Sequence, residues 1–432
     1  MPEQSVFPDY NKNIVNVSAT LAGFLDVSSR HKVLPALADE LVKGYKNVVF
    51  LCFDGLGVHP LEKNLGKKDF LRAHIKDTLT SVFPSTTTNA TTTLVSASRP
   101  AEHGWFAWSL YLEKAGKVVD LFCDRNHYDY TDVVTADFVR KQLPYEAYYL
   151  KAESHCEEDA EHRTKQSLHE DKPLSSGKGN LGRFAHRDCL LAVAARVPNV
   201  AAAPRNDNRY EINTVFPRFV TEDLAKNNHY FDILDEQFEH LSTICKKEGK
   251  QFVYGYNPQP DGVMHQFGVT SHEAKKYIKS INDAVADFAA AHPDTLLIIT
   301  ADHGMTNVQS AIKTWEDPDL LDLLEVPPYG DPRVMIVKVK KDKTMDFLAH
   351  MRKKYKADVN VYLSKALINK GVFGNGKLPN PRVTLDRLGD FMVVIKTAKY
   401  FRFCESDGDY KGMHTGLTPE EMLVPLIIVG GK

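Results

Sequence analysis

Aspartate and histidine side chains stand beside several apolar runs of this sequence, and these two residue types bind divalent metal ions. Six of them occupy such positions: Asp54, Asp261, His265, Asp302, His303 and His414. Carboxylate oxygen combined with imidazole nitrogen suits Zn²⁺ or Mn²⁺ better than Ca²⁺, which prefers oxygen ligands throughout. Six ligands exceed the needs of one tetrahedral ion. Two ions about 3.5–4 Å apart would use them, an arrangement that serves in-line displacement at phosphorus.

Each motif has a plainer interpretation when it stands alone. Asp54-Gly55 and Asp302-His303-Gly304 are typical of turns, and the i, i+4 pair Asp261/His265 is typical of a solvated helix face. These plain interpretations would have to hold independently at every motif. The joint occurrence of the motifs after strand-like runs therefore favours a metal site.

A phosphoryl-transfer site also needs a nucleophile, and the stretch 83–94 (FPSTTTNATTTL) is dense in hydroxyl groups. It follows a β-like run, 78–83, and precedes small residues that could open a helix. A hydroxyl at a helix N-terminus beside divalent cations has a lowered pKa, so its alkoxide could attack phosphorus.

The elements that must position these residues are apolar runs alternating with long helical patterns. The runs are typical of buried strands and cover 47–53, 252–256, 296–300 and 423–429. Helical patterns cover 231–247 and 271–292. This alternation predicts an α/β fold with a doubly wound, mostly parallel sheet flanked by helices, in which ligands bind beyond the carboxyl ends of the strands.

The chain divides by pattern into three parts. Residues 1–44 form an N-terminal helical extension, with Leu34, Leu37, Leu41 and Val42 at helical spacing. Residues 45–310 and 402–432 form the metal-binding catalytic core. Residues 311–401 contain their own strand and helix signals and are interpreted as a small inserted α+β domain, whereas the polar stretch 153–183 reads as a long exposed loop.

Composition excludes several classes of protein. The chain has 432 residues and a formal net charge of −2, which does not fit a surface that coats nucleic acid or an anionic membrane. The N-terminus lacks the pattern of a secretory signal, and no apolar segment approaches the length of a membrane span. The six cysteines are scattered without a C-x-x-C pair, so we expect free thiols and a cytoplasmic location.

The order of these motifs resembles the alkaline phosphatase superfamily, and the closest branch is the type I phosphodiesterase/nucleotide pyrophosphatase family. The resemblance rests on the Pro-Ser-Thr-Thr stretch, Asp-x-x-x-His, Asp-His-Gly and Gly-x-His, together with the segment 94–104 (LVSASRPAEHG). Counting back from His103-Gly104 places the family's nucleophile at Thr87. The resemblance runs from about residue 45 to the C-terminus, omitting much of 150–200 and 311–401.

The resemblance implies a role for each residue. One metal ion, most simply Zn²⁺ with Mn²⁺ as the other choice, would be held by Asp54, Thr87, Asp302 and His303. A second would be held by Asp261, His265 and His414. In this family the segment between Asp-His-Gly and the last histidine forms a cap, so the resemblance implies that residues 311–401 are an inserted cap domain. Thr87 would form a covalent phospho-threonine during hydrolysis of a phosphate diester or pyrophosphate in a small, nucleotide-like molecule. Family members often carry an asparagine three residues after the nucleophile. Ala90 stands there in this sequence, so a substrate contact is assigned to Asn89.

Other activities stay open at this point. A phosphonoacetate-type phosphonate hydrolase or a phosphomonoesterase would use the same ligand order. A sulfatase fits poorly, because no cysteine lies in the context C-x-P-x-R. Outside the enzymes, a metal-dependent binding protein on the same fold is the remaining alternative.

Overall fold

A seven-stranded sheet forms the centre of the fold in a computed structural model, which describes residues 5–27, 29–134, 210–218, 227–374 and 386–431. The strands are β1 (Asn47–Phe53), β2 (Ile75–Thr80), β3 (Ser109–Leu112), β4 (Lys117–Asp120), β5 (Arg125–Asn126), β6 (Asp129–Val133), β7 (Tyr210–Pro217), β8 (Asn228–Phe231), β9 (Lys250–Asn257), β10 (Thr295–Thr300), β11 (Thr306–Asn307), β12 (Ser310–Lys313), β13 (Tyr329–Asp331), β14 (Val334–Val337), β15 (Val359–Leu363), β16 (Phe391–Ile395), β17 (Lys399–Arg402), β18 (Gly412–Met413) and β19 (Leu423–Val429).

The central sheet has the order β2-β19-β10-β1-β9-β7-β8. Strand β1 pairs in parallel with both β10 and β9, and β7 continues the parallel set towards β8. Every residue of β1 and β10 is buried, as expected for strands covered on both faces. The predicted mostly parallel sheet is therefore confirmed.

The last strand differs from its neighbours, because β19 runs antiparallel to both β10 and β2. Its apolar run is typical of a buried strand but does not reveal the direction of that strand, and a mostly parallel sheet allows this exception. The physical reason is connectivity: the segment that carries His414 lies at the carboxyl edge of β10, and the strand that follows must run away from that edge.

Helices cover the sheet. The α-helices of the described residues are α1 (Ile14–Phe24), α2 (Pro35–Leu41), α3 (Val58–Asn64), α4 (Phe70–Ala73), α5 (Thr87–Ser96), α6 (Pro100–His103), α7 (Leu234–Cys245), α8 (Asp261–Phe267), α9 (His272–Ala291), α10 (Pro318–Leu321), α11 (Thr344–Lys354), α12 (Ser364–Asn369) and α13 (Pro419–Met422). In α9, Ser271 caps the first turn by accepting a hydrogen bond from the Ala274 amide, and Ile278, Ile281 and Val285 continue the buried stripe.

The N-terminal helices belong to the main core. Ile14, Val17 and Leu21 of α1 are at most 2% exposed and pack in the same cluster as the central strands. The predicted apolar face of α2 is wrong at Val42, which is 83% exposed, because the helix ends at Leu41 and the chain turns away there.

Smaller sheets lie outside the centre. Strands β13, β14, β16 and β15 form a four-stranded antiparallel sheet within the stretch 311–401, and β12 pairs with β17 where that stretch begins and ends. Strands β3 to β6 form another four-stranded sheet. Apolar residues of the two four-stranded sheets, including Leu110 and Ile336, share one buried cluster.

Three sequence expectations concern features away from the site. The predicted polar loop 153–183 lies outside the described residues. Cys52, Cys245 and Cys404 are free thiols, but Cys123 is disulfide-bonded. The expectation of free thiols is thus wrong at Cys123, because pairing depends on the distance between two sulfur atoms rather than on sequence spacing.

Among the helices of the described residues, none has both the length and the apolar character that a membrane crossing requires.

Candidate metal centre

The ends of neighbouring strands bring the predicted residues to one edge of the central sheet. Asp54 follows β1 directly and donates its amide hydrogen to the Asn257 carbonyl at the end of β9, at 2.9 Å. Asp261, the first residue of α8, donates its amide hydrogen to the Asp54 carbonyl at 3.1 Å. Gly55 turns the chain after β1 with φ +73°, a conformation that other residues rarely adopt. The turn thereby keeps Asp54 at the strand end.

Asp302 and His303 follow β10 at the same edge. The Asp302 Oδ1 atom accepts hydrogen bonds from the amides of Gly55 at 3.1 Å and His303 at 2.9 Å, which ties the two strand ends together. A Cβ atom on Gly304 would lie 2.1 Å from the Glu420 carbonyl oxygen. The glycine of the Asp-His-Gly motif is therefore required by the close approach of the segment before β19.

Two local pairings place His414 beside these residues. Thr306 of β11 pairs with Met413 of β18, and Ser85 forms a bridge with Thr415. His414 lies between the two pairings. Residues remote in sequence thus converge at the end of β10.

Each of the three imidazoles is oriented by a backbone carbonyl. The Nδ1 atoms contact carbonyl oxygens as follows: His265 with Gly412 at 2.8 Å, His303 with Gly304 at 2.9 Å, and His414 with Ser85 at 2.9 Å. Because a carbonyl oxygen only accepts, each Nδ1 must carry the hydrogen, and each neutral ring presents an Nε2 lone pair. This arrangement is typical of histidines that ligate metal ions.

The Nε2 atoms face carboxylate oxygens. His303 Nε2 lies 3.2 Å from Asp54 Oδ1 and 3.3 Å from Asp302 Oδ2. His265 Nε2 lies 3.2 Å from Asp261 Oδ2, and His414 Nε2 lies 3.7 Å from Asp261 Oδ1.

These contacts produce two groups of donor atoms. Inside each group, all donor atoms lie within 4.8 Å of one another. One contains Asp54, Asp302 and His303, and the other contains Asp261, His303 and His414. His303 belongs to both because its ring stacks on His414 at a centroid distance of 3.6 Å.

Thr87 is the first residue of α5 and lies against the first group. Its Oγ1 is 3.2 Å from His303 Nε2 and 3.5 Å from Asp54 Oδ2. The N-terminus of a helix carries a partial positive charge, which favours an anion at this position. The hydroxyl that the sequence singles out is therefore beside the carboxylates and imidazoles, at the end of a helix.

The donor set fits divalent cations. Asp54 Oδ1, Asp302 Oδ2 and Asp261 Oδ1 are buried and receive no hydrogen bond from any described residue. A buried carboxylate oxygen without a donor is strongly unfavourable unless a cation compensates it. Oxygen and nitrogen donors of this kind suit Zn²⁺ or Mn²⁺.

The carboxyl pKa values show the same need for positive charge. Burial, followed by the charge of Asp54, raises the pKa of Asp302 well above its usual value. Burial and the charge of Asp261 likewise raise the pKa of Asp54, although His303 and Tyr256 oppose this. Burial would also raise the pKa of Asp261, but His265 outweighs it and lowers this pKa.

The imidazole pKa values diverge. Burial opposes the charged form of His303, yet Asp302 and Asp54 raise its pKa to about 10. Burial and the charge of His303 hold the pKa of His414 well below its usual value. Without a cation the centre therefore retains a proton on His303, and a divalent ion would take the place of that charge.

The remaining predicted contact, Asn89, lies in the first turns of α5 and is fully buried. Its Nδ2 donates to the Pro84 carbonyl at 2.9 Å. His103, in the segment 94–104, contacts Thr93 Oγ1 of α5 through its Nε2 atom at 3.0 Å. The role of His103 is thus packing of the helix that presents Thr87.

Several residues that hold the centre in place were not found from the sequence. The Tyr256 hydroxyl donates to Asp54 Oδ2, and the Ser85 carbonyl orients His414. Tyr256 ends a run recognised as a strand, so strand-end position was the available signal. The carbonyl of Ser85 acts through backbone alone, and residue type gives no signal for it.

A buried ion pair supports the segment after His414. Arg333 contacts Glu421 through Nε–Oε1 at 2.6 Å and Nη2–Oε2 at 3.0 Å, and Glu421 accepts the Gly416 amide hydrogen at 2.8 Å. Arg333 lies in the turn before β14, whereas Glu421 belongs to α13. Their pairing could not be read from sequence spacing.

Similar solved structures share this fold. Murine ectonucleotide pyrophosphatase/phosphodiesterase 5 is 14% identical, with a TM-score of 0.53, and the match covers 89% of this chain and 88% of that one. An inactive threonine-to-alanine variant of the murine protein, in complex with AMP, is 15% identical, with a TM-score of 0.52 and coverage of 89% and 88%. Phosphonoacetate hydrolase from Sinorhizobium meliloti 1021, in complex with phosphonoformate, is 14% identical, with a TM-score of 0.56 and coverage of 93% and 92%.

A comparison with curated proteins found no match. A family model does match, and it covers residues 48–417, a range that contains Asp54, the threonine-rich helix, the Asp-His-Gly turn and His414. These are the segments that the sheet edge brings together. The chain belongs to the type I phosphodiesterase/nucleotide pyrophosphatase family.

Proposed function

We propose that this protein is a metal-dependent hydrolase of phosphate diesters or pyrophosphates in small, nucleotide-like molecules, with Thr87 as its nucleophile. The observation that carries the proposal is the position of Thr87 Oγ1, 3.2 Å from His303 Nε2 and 3.5 Å from Asp54 Oδ2. Family membership and the AMP complex of the murine relative support the substrate class.

The residues fit two divalent ions, most simply Zn²⁺, with Mn²⁺ as the second choice. We assign Asp54, Thr87, Asp302 and His303 to one ion, and Asp261, His265 and His414 to the other. When bound, such ions supply positive charge to the phosphoryl oxygens and lower the pKa of a hydroxyl or water. The ring of His303, stacked on His414, lies between the two ligand sets.

The chain's own groups account for the chemical steps. Thr87 Oγ1 gives up its hydrogen and attacks phosphorus as the bond to the leaving oxygen breaks. That oxygen takes up a proton as it departs, and the product is a covalent phospho-threonine. The positive end of α5 faces the charge on the phosphoryl group. Water then attacks the same phosphorus, and the bond from phosphorus to Thr87 Oγ1 breaks. A proton from that water restores the hydroxyl of Thr87. The inactive threonine-to-alanine variant of the murine relative supports a threonine in this role.

Two further assignments complete the proposal. Asn89 contacts the phosphoryl group through the second hydrogen of its amide, since Pro84 takes only one. The stretch 311–401, with its own antiparallel sheet, is an inserted cap beside the core 45–310 and 402–432, and the segment 1–44 is an extension that contributes α1 to the core. The cytoplasmic location stays a prediction.

The test compares Thr87→Ala with Thr88→Ala, a matched change at the next residue, whose side chain is buried as well. Thr87→Ala is expected to retain most of its bound zinc while turnover of an aryl phosphodiester falls on the order of 10³-fold or more. Thr88→Ala is expected to stay within a few fold of the wild type. Acid quench during turnover should yield a phosphorylated peptide containing Thr87.

Near wild-type turnover by Thr87→Ala, or phosphate on Thr88, would refute the nucleophile. Matched diester, monoester and phosphonate substrates decide the substrate class, and faster turnover of the phosphonate would replace the diesterase proposal. Zinc binding without turnover of any of these substrates would favour the binding-protein alternative.

A further inference from the structure

A second group of metal-binding side chains lies outside the centre described above. His127 occupies the turn between β5 and β6, while Cys404 and Asp407 lie in the turn that follows β17. Donor atoms of these three residues all lie within 4.8 Å of one another. His127 is 7% exposed, and the other two are partly buried.

The three separations resemble one face of a tetrahedral zinc site. Zinc bonds of about 2.3 Å to sulfur and about 2.0 Å to nitrogen or oxygen place sulfur about 3.5 Å from either other donor, and nitrogen about 3.3 Å from oxygen. The observed distances are 4.0 Å for Cys404 Sγ to His127 Nε2, 3.3 Å for Cys404 Sγ to Asp407 Oδ1, and 3.7 Å for His127 Nε2 to Asp407 Oδ1. Shifts of about 0.5 Å or less would bring all three onto one ion.

The histidine is oriented as a ligand. His127 Nδ1 lies 2.8 Å from Asp120 Oδ1, and Asp120 Oδ2 accepts a hydrogen bond from the Tyr130 hydroxyl at 2.6 Å. A carboxylate that holds Nδ1–H fixes the tautomer and directs the Nε2 lone pair towards the other two donors, as in carboxylate–histidine–zinc arrangements.

We propose that His127, Cys404 and Asp407 form a further zinc site, with water in the fourth position and Asp120 as the positioning residue for His127. A thiolate beside an imidazole and a carboxylate selects Zn²⁺ over Mg²⁺, Ca²⁺ or Mn²⁺, which prefer oxygen. The ion takes the place of the thiol hydrogen of Cys404, and that proton is released to solvent.

The site has a structural consequence. Residues 403–411 connect β17 to β18, and β18 contains Gly412, whose carbonyl orients His265. Tyr410 of this connection packs against the His265 ring at a centroid distance of 5.2 Å. An ion at the new site fastens the connection to the β3–β6 sheet and thereby restrains the segment leading to His414.

Cobalt provides the sharpest test, because the proposed catalytic centre has only oxygen and nitrogen donors. Wild-type protein loaded with Co²⁺ should show a thiolate-to-cobalt charge-transfer absorption. The band should vanish in Cys404→Ala and persist in Cys245→Ala, a matched change at another free cysteine. It should also persist in Asp302→Asn, which removes the negative charge of one ligand in the proposed catalytic centre.

Elemental analysis and alkylation check the same site with zinc. Cys404→Ala should bind about one zinc ion fewer per chain than Cys245→Ala. In the wild type, zinc should slow iodoacetamide labelling of Cys404 at least tenfold, a measurement that does not depend on a variant folding. Absence of the cobalt band in the wild type, equal zinc content in the two cysteine variants, or labelling that zinc does not slow would overturn the proposal.

Discussion

Loss of the Arg333 guanidinium should weaken both the fold and the segment that carries His414. Arg333 is 1% exposed and Glu421 is fully buried, so the pair is shielded from water. Arg333 also donates through Nη1 to the carbonyls of Thr397 at 2.8 Å and Lys399 at 2.7 Å. The substitution Arg333→Met keeps much of the side-chain volume but leaves the Glu421 carboxylate without its cation.

The expected magnitude follows from burial. Removing one partner of a buried ion pair typically costs about 3–5 kcal/mol, because a charge is left uncompensated. Glu421 keeps the Gly416 amide and the Thr418 hydroxyl, both at 2.8 Å, so the lower end, about 3 kcal/mol, is expected. A chain of 432 residues has an unfolding entropy of about 0.9 kcal/mol per kelvin, so Tm should fall by roughly 3 °C if the chain unfolds as one unit.

The assay is urea and thermal unfolding at fixed free zinc, since bound metal itself shifts apparent stability. Lys279→Met is the matched control, because its partner Asp283 lies on the same exposed face of α9 and the pair is more than half exposed. That change should alter stability by no more than a few tenths of a kcal/mol.

A double-mutant cycle separates the pair from simple loss of packing. Arg333→Met combined with Glu421→Leu should be less destabilised than the sum of the single changes, because no buried charge remains. Strict additivity, or Arg333→Met within about 1 kcal/mol of the wild type, would refute the reasoning.

Three further predictions concern the metal centre. Tyr256→Phe removes the hydroxyl that donates to Asp54 and should weaken zinc binding about 10- to 100-fold in chelator competition. Tyr254→Phe, a matched change on the same strand, should leave zinc affinity unchanged. Equal zinc affinities of the two variants would contradict the role of Tyr256. In chelated protein the pKa of His303 rises from 6.5 to about 10 on folding, so the folded chain binds the extra proton in that interval. The stability that this protonation of His303 contributes is therefore complete below pH 6.5 and lost as the pH rises towards 10. Zinc-loaded protein should lack this decline. Parallel profiles of Tm against pH for the chelated and zinc-loaded forms would contradict the prediction. Asn89→Ala should lower kcat/KM about tenfold and stability by about 1 kcal/mol, and unchanged kcat/KM would remove Asn89 from the substrate contacts.

Much of the centre could be predicted because its residues follow strands. The buried run before Asp54 and the run before Asp302-His303 are local patterns, and parallel strands place their carboxyl ends at one edge. The spacing of Asp261 and His265 likewise reflects one face of α8. The residue types then indicate the class of metal ion without any knowledge of the tertiary structure.

Other features depended on contacts between distant segments. The antiparallel direction of β19 follows from where the segment containing His414 must lie, which the apolar run alone does not reveal. The carbonyls that orient the imidazoles have no residue-type signal, because any residue supplies a backbone oxygen. The Arg333–Glu421 pair joins residues 88 positions apart.

The sequence by itself determined the chemistry: which donor atoms are present, which strands and helices carry them, and hence a metal-dependent phosphoryl-transfer family. Only the tertiary structure decided the geometry: that His303 stacks on His414 between the two ligand groups, and that His127 and Cys404 meet across two sheets. The physical reason is that residue type and local periodicity are encoded within a few neighbours, whereas distances between side chains follow from packing of the whole chain.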